Sequence, residues 1–514
     1  MLNAKNGAIS RRTLLKASAA SGLLALSPFG ARALAQPSKG GHLVMAVDGG
    51  ATGDSLDPRT FNSPYTSVIS GTVYNTLVET VGDQNGLRPG LAESWEPSDG
   101  GRKWSFDLVR GAEFHNGKPV TSEDVIHSLK IHVAEGSRSN SNSIISAIVD
   151  IKADGASRLL FELDAPNYFF PAMLSNYSLA IVPDGTTTFD GIGTGAYKVQ
   201  RFAPGEVLEA VRNENYFKSD AAHVDSVELL SVNDAASRMS AIQSGQAHLV
   251  AALDPRTAPL LEALPSLRLV FLKSSQFAGF NMRADAAPFD NPDLRLALKL
   301  AVDRDDIIRR VYGGYGRLGN DTPIPPNDPL FASGIIQNSY DPERAAELYK
   351  KSGHQGPLQL QTSEAVGATA IDMASLFREH AAKAGITIDV KREPADGYWA
   401  NIWAQSPFHA TLWGARPTAD MILSLAYSSG SPANDSHWSN ADFDAAIAAA
   451  RAEADEARRL ELYATAQEIL SLDGGVIIPA FGDVIEGVSA NIEGYVPGTL
   501  PMANLRAAEQ VWFS

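Results

Sequence analysis

The sequence predicts a mixed α/β fold with two or three hydrophobic cores. Apolar runs of strand length alternate with segments of helical spacing along most of the chain. Clusters of turn-forming residues separate them. The 514 residues are 44% hydrophobic, enough at this length to fill more than one domain-sized core. No internal repeat is visible, and only the Ala-rich helices approach low complexity.

The first 35 residues stand apart. Arg11-Arg12 precede a weakly apolar, Ala/Ser/Gly-rich stretch through Leu23, Leu24 and Leu26, and Ala33-Leu34-Ala35 stands before Gln36. This pattern resembles a bacterial twin-arginine (Tat) export signal with its cleavage site. Ser18, Ser21, Ser27 and Pro28 interrupt the apolar run, leaving it short of the ~20 residues a membrane span needs. The expectation is export and cleavage near Ala35, with the product free in the periplasm.

The elements follow in order. His42-Leu43-Val44-Met45-Ala46-Val47 reads as a strand, Gly49 to Asp54 with Asp57-Pro58 as an irregular loop, and Ser67 to Leu77 as a helix. Further strands are predicted at Trp104 to Val109, Leu159 to Leu163, Val227 to Leu230, Leu267 to Leu272 and Ile386 to Val390. Helices are predicted at Ser122 to Val133, Asn291 to Tyr312, Asp341 to Ser352 and Asp442 to Ala452. Thr121 with Asp124 three residues on supplies an acidic N-cap, and Asp341-Pro342 places proline at a first helical position. The Ser/Asn run Ser137 to Ser143 reads as a loop or a polar helix start.

Charge and composition exclude several functions. The chain carries 43 basic and 59 acidic residues, net -16; without the five bases of the first 35 residues, 38 stand against 59, net -21. So acidic a surface repels nucleic acid and anionic membrane. With no cysteine there is no disulfide, thiolate nucleophile, Cys-ligated metal or lipid-anchored N-terminus. A serine hydrolase elbow and a His-Glu-x-x-His zinc motif are both missing from the sequence. The expectation is a protein that is not an enzyme and needs no cofactor; a periplasmic hydrolase built on two carboxylates stays a distant alternative.

One block is far more specific. Leu91-Ala92-Glu93-Ser94-Trp95-Glu96-Pro97, Trp104-Ser105-Phe106, and Phe114-His115-Asn116-Gly117-Lys118-Pro119-Val120-Thr121 resemble the signature of the family 5 extracellular solute-binding proteins, the peptide, nickel and opine receptors of ABC importers. The resemblance continues, in order, through Gly193-Thr194-Gly195-Ala196-Tyr197, Arg212-Asn213-Glu214-Asn215-Tyr216, Ala241-Ile242-Gln243-Ser244-Gly245, Arg295 to Arg304, and Tyr340-Asp341-Pro342-Glu343-Arg344. Physically these motifs are bulky strand cores and tight turns. His115 beside Asn116-Gly117 reads as a turn or core histidine rather than a metal ligand.

The resemblance implies a two-lobe periplasmic-binding-protein fold (class II type), α/β, with an extra subdomain inserted in the first lobe. The implied boundaries are 36–272 plus 485–514 for the first lobe, about 80–190 for the inserted subdomain, and 273–484 for the second lobe, with crossing strands near 270 to 280 and 480 to 486. It also implies a monomer whose partners are a small-molecule solute, enclosed as the lobes close, and an ABC permease that the closed form meets.

In peptide-binding relatives a segment after a second-lobe strand carries an Asp for the ligand's α-ammonium. Here Arg416 stands about where that Asp would stand, in Trp413-Gly414-Ala415-Arg416. A guanidinium suits a carboxylate instead, which it grips with a planar fork. Arg416 therefore either binds an acid group of the solute or pairs with Asp420 or another acid of its loop. Tyr398, Trp399, Trp403, Phe408, Tyr427 and Trp438 make the same region densely aromatic, and Trp413, Gly414 and Ala415 adjoin Arg416 as candidate contacts. From the first lobe, Arg59 and Tyr65 are candidates in a loop that lies near the pocket in similar proteins, and Arg138 is a candidate second carboxylate grip. The expected solute is a short peptide or a carboxylate-bearing, opine-like amino-acid derivative; the alternative is a nickel or other metal chelate, or haem.

Overall fold

The computed structural model describes residues 37–82, 86–137, 139, 141–416 and 418–514. The twin-arginine and cleavage motifs, and Arg138, lie outside the described residues.

The central strand of the largest sheet is His42–Val47, buried on both faces from Leu43 onward. Such a strand needs an unbroken apolar run rather than alternation, because helices cover both sides. It runs parallel to Ser226–Ser231 on one side and Leu249–Leu253 on the other. Antiparallel strands extend the sheet to seven: Val207–Arg212 and Tyr197–Ala203 outward from one side, Val484–Ser489 and Leu267–Leu272 from the other. The helix Pro64–Val73 packs here. Ser63 caps it through a reciprocal pairing with Thr66, and Pro64 opens it three residues before the predicted start. Its C-terminal carbonyls press on Gly193 and Gly195: a Cβ on Gly195 would stand 2.3 Å from the Val73 carbonyl carbon, so only glycine fits.

An inserted four-stranded antiparallel sheet orders Ala92–Ser98, Lys103–Leu108, Arg158–Leu163 and Ile148–Ala153. Its core is aromatic: Phe106, Phe161 and Phe170 meet edge-on at 5.2–6.0 Å, and Trp104 packs against them. The recognisable Trp104 and Phe106 thus serve packing. His115 donates through Nε2 to the Gly195 carbonyl (3.1 Å) and accepts the Gly193 amide at Nδ1 (3.3 Å), stapling the glycine loop.

The second lobe is built on a five-stranded sheet in the order Ile388–Glu393, Leu358–Ser363, Phe408–Trp413, Phe277–Met282, Val476–Ile477. The single helix predicted from Asn291 to Tyr312 is two, Pro292–Leu300 and Arg304–Val311. Asp303 turns extended and accepts the Asp306 amide, and as an N-cap it starts a new helix inside an unbroken apolar period. Buried Arg304 pins this junction through a two-pronged pair with buried Asp321 (2.9 and 2.7 Å).

Between the two large sheets the chain passes twice: outward between Leu272 and Phe277, and back at Asp483, between Ala480–Gly482 and Val484–Ser489. The C-terminal segment then returns to the first lobe, where Ile492–Glu493 pairs with Trp512–Phe513.

Candidate functional site

The strand Phe408–Trp413 turns one face, His409, Thr411 and Trp413, toward a polar and aromatic cluster. Behind it stands Asp435, fully buried. Its Oδ2 accepts hydrogen bonds from Thr411 Oγ1 (2.8 Å), Trp403 Nε1 (3.0 Å) and Trp413 Nε1 (3.2 Å). Among the described residues Oδ1 has no hydrogen-bond partner and Asp435 makes no ion pair. Burial, only partly offset by the three donors, pushes this carboxyl up to about 6. The two indoles are thereby fixed edge to face, 6.4 Å apart.

Arg416 lies over Trp413, its guanidinium carbon 5.5 Å from the ring centroid, within cation–π range. It donates to the carbonyls of Gly414 (3.2 Å) and Ala415 (3.4 Å). It has no carboxylate partner among the described residues, and burial draws its pKa below the ordinary guanidinium value, with the Tyr177 hydroxyl opposing. The pairing of Arg416 with Asp420 does not form. Asp420 is taken by Arg451 (2.9 Å) and by the Tyr463 hydroxyl (2.8 Å), because it sits in the first turn of the helix Ala419–Tyr427 and points into the lobe. Thr418 caps that helix by accepting the Met421 amide. Beside Arg416 a cavity of about 10 Å³, room for roughly one water, is lined by Ser275, Ile324, Asp328, Gly414 and Thr418 among others.

Tyr177 reaches Arg416 from the inserted subdomain, its backbone carbonyl held by Ser70 Oγ of the first-lobe helix at 2.6 Å. Neighbouring contacts bridge the same two bodies. Phe169 meets Tyr463 edge-on at 5.7 Å and lies under Arg459 at 5.4 Å, and the Tyr168 amide donates to the Arg451 carbonyl at 3.1 Å. Arg416 is therefore enclosed between lobes rather than left on a surface.

The first-lobe candidates lie differently. Arg59 is held by Asp57 through Nε (3.0 Å) and Nη2 (2.6 Å), with Phe189 beneath it at 5.1 Å, because Asp57 caps the short turn Pro58–Thr60. Tyr65 is fully buried in the first-lobe core, its hydroxyl without a partner among the described residues and its pKa pushed up by burial. Trp438 belongs to the second-lobe core, donating to Asp473 (2.8 Å); Trp399 is the exposed tryptophan, 43% accessible. Sequence reasoning missed Tyr177, Asp435 and Ser275. Asp435 stands 22 residues from the nearer indole that it holds and Tyr177 comes from the other lobe, so no local spacing marks either.

Residues 86–437 match the sequence profile of the bacterial extracellular solute-binding proteins, family 5 middle. The chain is 27% identical over 468 residues to the haem-binding protein A of Haemophilus influenzae, covering 82% of this chain and 84% of that one. Among solved structures it resembles the periplasmic binding protein DppA of Helicobacter pylori in complex with the peptide STSA (TM-score 0.79, 22% identity, 93% of this chain and 99% of that one). It is equally similar to the binding protein AgaA from A. tumefacien R10 in complex with agropinic acid (TM-score 0.79, 21% identity, 92% and 99%).

Proposed function

Since this chain belongs to the family 5 bacterial extracellular solute-binding proteins, we propose that it is a periplasmic receptor for a small polar acid, a short peptide or an opine-like amino-acid derivative, which it delivers to an ABC importer by closing its lobes. The observation that carries the acidic cargo is Arg416: a guanidinium enclosed between lobes, backed by Trp413 and without a carboxylate partner among the described residues. A carboxylate entering beside it gains a two-pronged, charge-assisted contact in a setting of reduced solvent screening. Tyr177 supplies a hydroxyl from the opposite lobe, so one solute group touches both bodies, and closure is favoured in proportion to that contact. The peptide and the agropinic acid bound to the two solved relatives each bear a carboxylate, which fits this reading. In this reading the lobes are 36–272 with 485–514, and 273–484. Export through Arg11-Arg12 with cleavage near Ala35 supplies the compartment.

The test is to purify the protein from periplasm, denature it and identify the released small molecule by mass spectrometry. A carboxylate-bearing compound from the native protein, missing from Arg416→Ala, is expected; the loss of one buried charge partner is worth ~2–5 kcal/mol of affinity. A cargo without an acid group, or one retained equally by Arg416→Ala, overturns the acidic assignment. Among the described residues no three His, Asp or Glu side chains gather as a metal cage, so a nickel cargo would enter as a chelate and the same spectrum would reveal its acid.

A further inference from the structure

We propose that Arg317 is the positioning residue of the hinge, joining both lobe-crossing segments to the wall of the small cavity beside Arg416 and so setting the balance between lobe arrangements. Arg317 lies on the short ribbon strand Gly316–Leu318, paired with Ala480–Gly482 directly before the return crossing. Its Nη2 donates to the Ser274 carbonyl in the outward crossing (2.9 Å) and stands 3.2 Å from Asp483 Oδ1 in the return crossing. Its Nη1 donates to Asn327 Oδ1, and Asn327 in turn donates to the Lys273 carbonyl at 2.9 Å. One side chain therefore holds both strands of the hinge. The next residues along, Ser275 and Asp328, line the cavity beside Arg416, so a shift of this staple moves the surroundings of Arg416.

The pair with Asp483 is in contact but out of alignment. Arg317 Nε and Asp483 Oδ1 are both buried without a hydrogen-bond partner among the described residues. A guanidinium and a carboxylate this close satisfy each other in a parallel, two-pronged geometry, which a rotation at Asp483 would provide. Buried unmet polar groups are costly, so the pair is worth more in one lobe arrangement than in the other, and such a difference biases a two-state equilibrium. Alongside, Phe271 of the first lobe stacks on Tyr315 at 4.8 Å, and the Asp483 amide donates to the Tyr315 carbonyl (3.1 Å), giving the rotation a fixed pivot.

The chain has no native cysteine, so spin labels can be placed without background at the exposed positions Val149, in the inserted subdomain, and Ile336, in the second lobe. Double electron–electron resonance on the full chain, without added solute, reads the distance between lobes. Arg317→Met and Asp483→Asn are each expected to change the ratio of lobe-distance populations at least about fivefold. The double variant should go no further than the singles, and Arg317→Lys should recover only part, since a point charge cannot serve Ser274, Asn327 and Asp483 together. Unchanged distances in folded Arg317→Met and Asp483→Asn, even with lowered melting temperatures, overturn the proposal; if Arg317→Met fails to fold, Asp483→Asn decides alone. Because no solute is used, this result stands or falls apart from the identity of the cargo.

Discussion

Replacing Asp435 with asparagine tests whether a bare buried carboxylate underlies the tryptophan pair. In the folded protein its pKa is pushed up to about 6 from an ordinary 3.8, chiefly by burial. At ~1.4 kcal/mol per pH unit, that gap corresponds to about 3 kcal/mol. The sign follows from proton linkage: the folded form holds the proton more tightly than the unfolded chain, so the contribution is fully present below pH 3.8 and is lost as pH rises to about 6. Above pH 6 the native protein carries the whole penalty of an ionised, unpaired group. Asparagine keeps an oxygen for Thr411, Trp403 and Trp413 but cannot ionise. Urea unfolding of both proteins from pH 4 to 8 should therefore give a difference profile that moves by about 2 kcal/mol in favour of Asp435→Asn between pH 4 and 6, then flattens. The absolute offset is set by the new amide, whose NH₂ replaces an oxygen without a partner; the slope is independent of it. Parallel profiles across pH 4 to 6 would refute the buried, uncompensated charge.

Glu486, buried on the returning strand, accepts the Met502 amide (2.7 Å) and the Tyr495 hydroxyl, and burial pushes its pKa up to about 7 from 4.5. Its favourable contribution is likewise present below pH 4.5 and lost on rising to pH 7, so Glu486→Gln should gain about 3 kcal/mol on the native protein across that window in the same unfolding assay. Changing both Arg11 and Arg12 to lysine should leave the precursor uncleaved in the cytoplasm, read by fractionation and mass; a normally processed periplasmic product would rule out the twin-arginine route.

How far the sequence could be read depended on how local each determinant was. The strands His42–Val47 and Leu267–Leu272 stand where their apolar runs predict them, and the capping boxes at Ser63 and Thr121 obey a three-residue rule. The break at Asp303 was hidden because the apolar period continues across it; the Asp303 cap and the tertiary pair of Arg304 with Asp321 mark the start of the second helix. Arg416 could be singled out because its charge departs from a family position. Asp435, Tyr177 and Arg317 could not, since each acts on residues distant in sequence or in the other lobe.

The structure joins these features through electrostatics. The acidic chain keeps one guanidinium enclosed between lobes, and in the same cluster keeps one carboxylate with no cation in contact. Both touch Trp413, one at the ring face and one at the indole nitrogen. Neither is neutralised by the other through a hydrogen bond, so each retains its field. Asp435 thereby holds the indole that supports Arg416, while its own charge weakens the pull of Arg416 on an anion. On the proposed reading, an anionic solute overcomes this opposition best where contacts to both Arg416 and Tyr177 are complete. In that reading both contacts form only with the lobes together, because Tyr177, which feels the charge of Arg416, comes from the inserted subdomain. Binding energy is then concentrated in the closed arrangement, which is the requirement for a solute to shift a lobe equilibrium rather than merely occupy it.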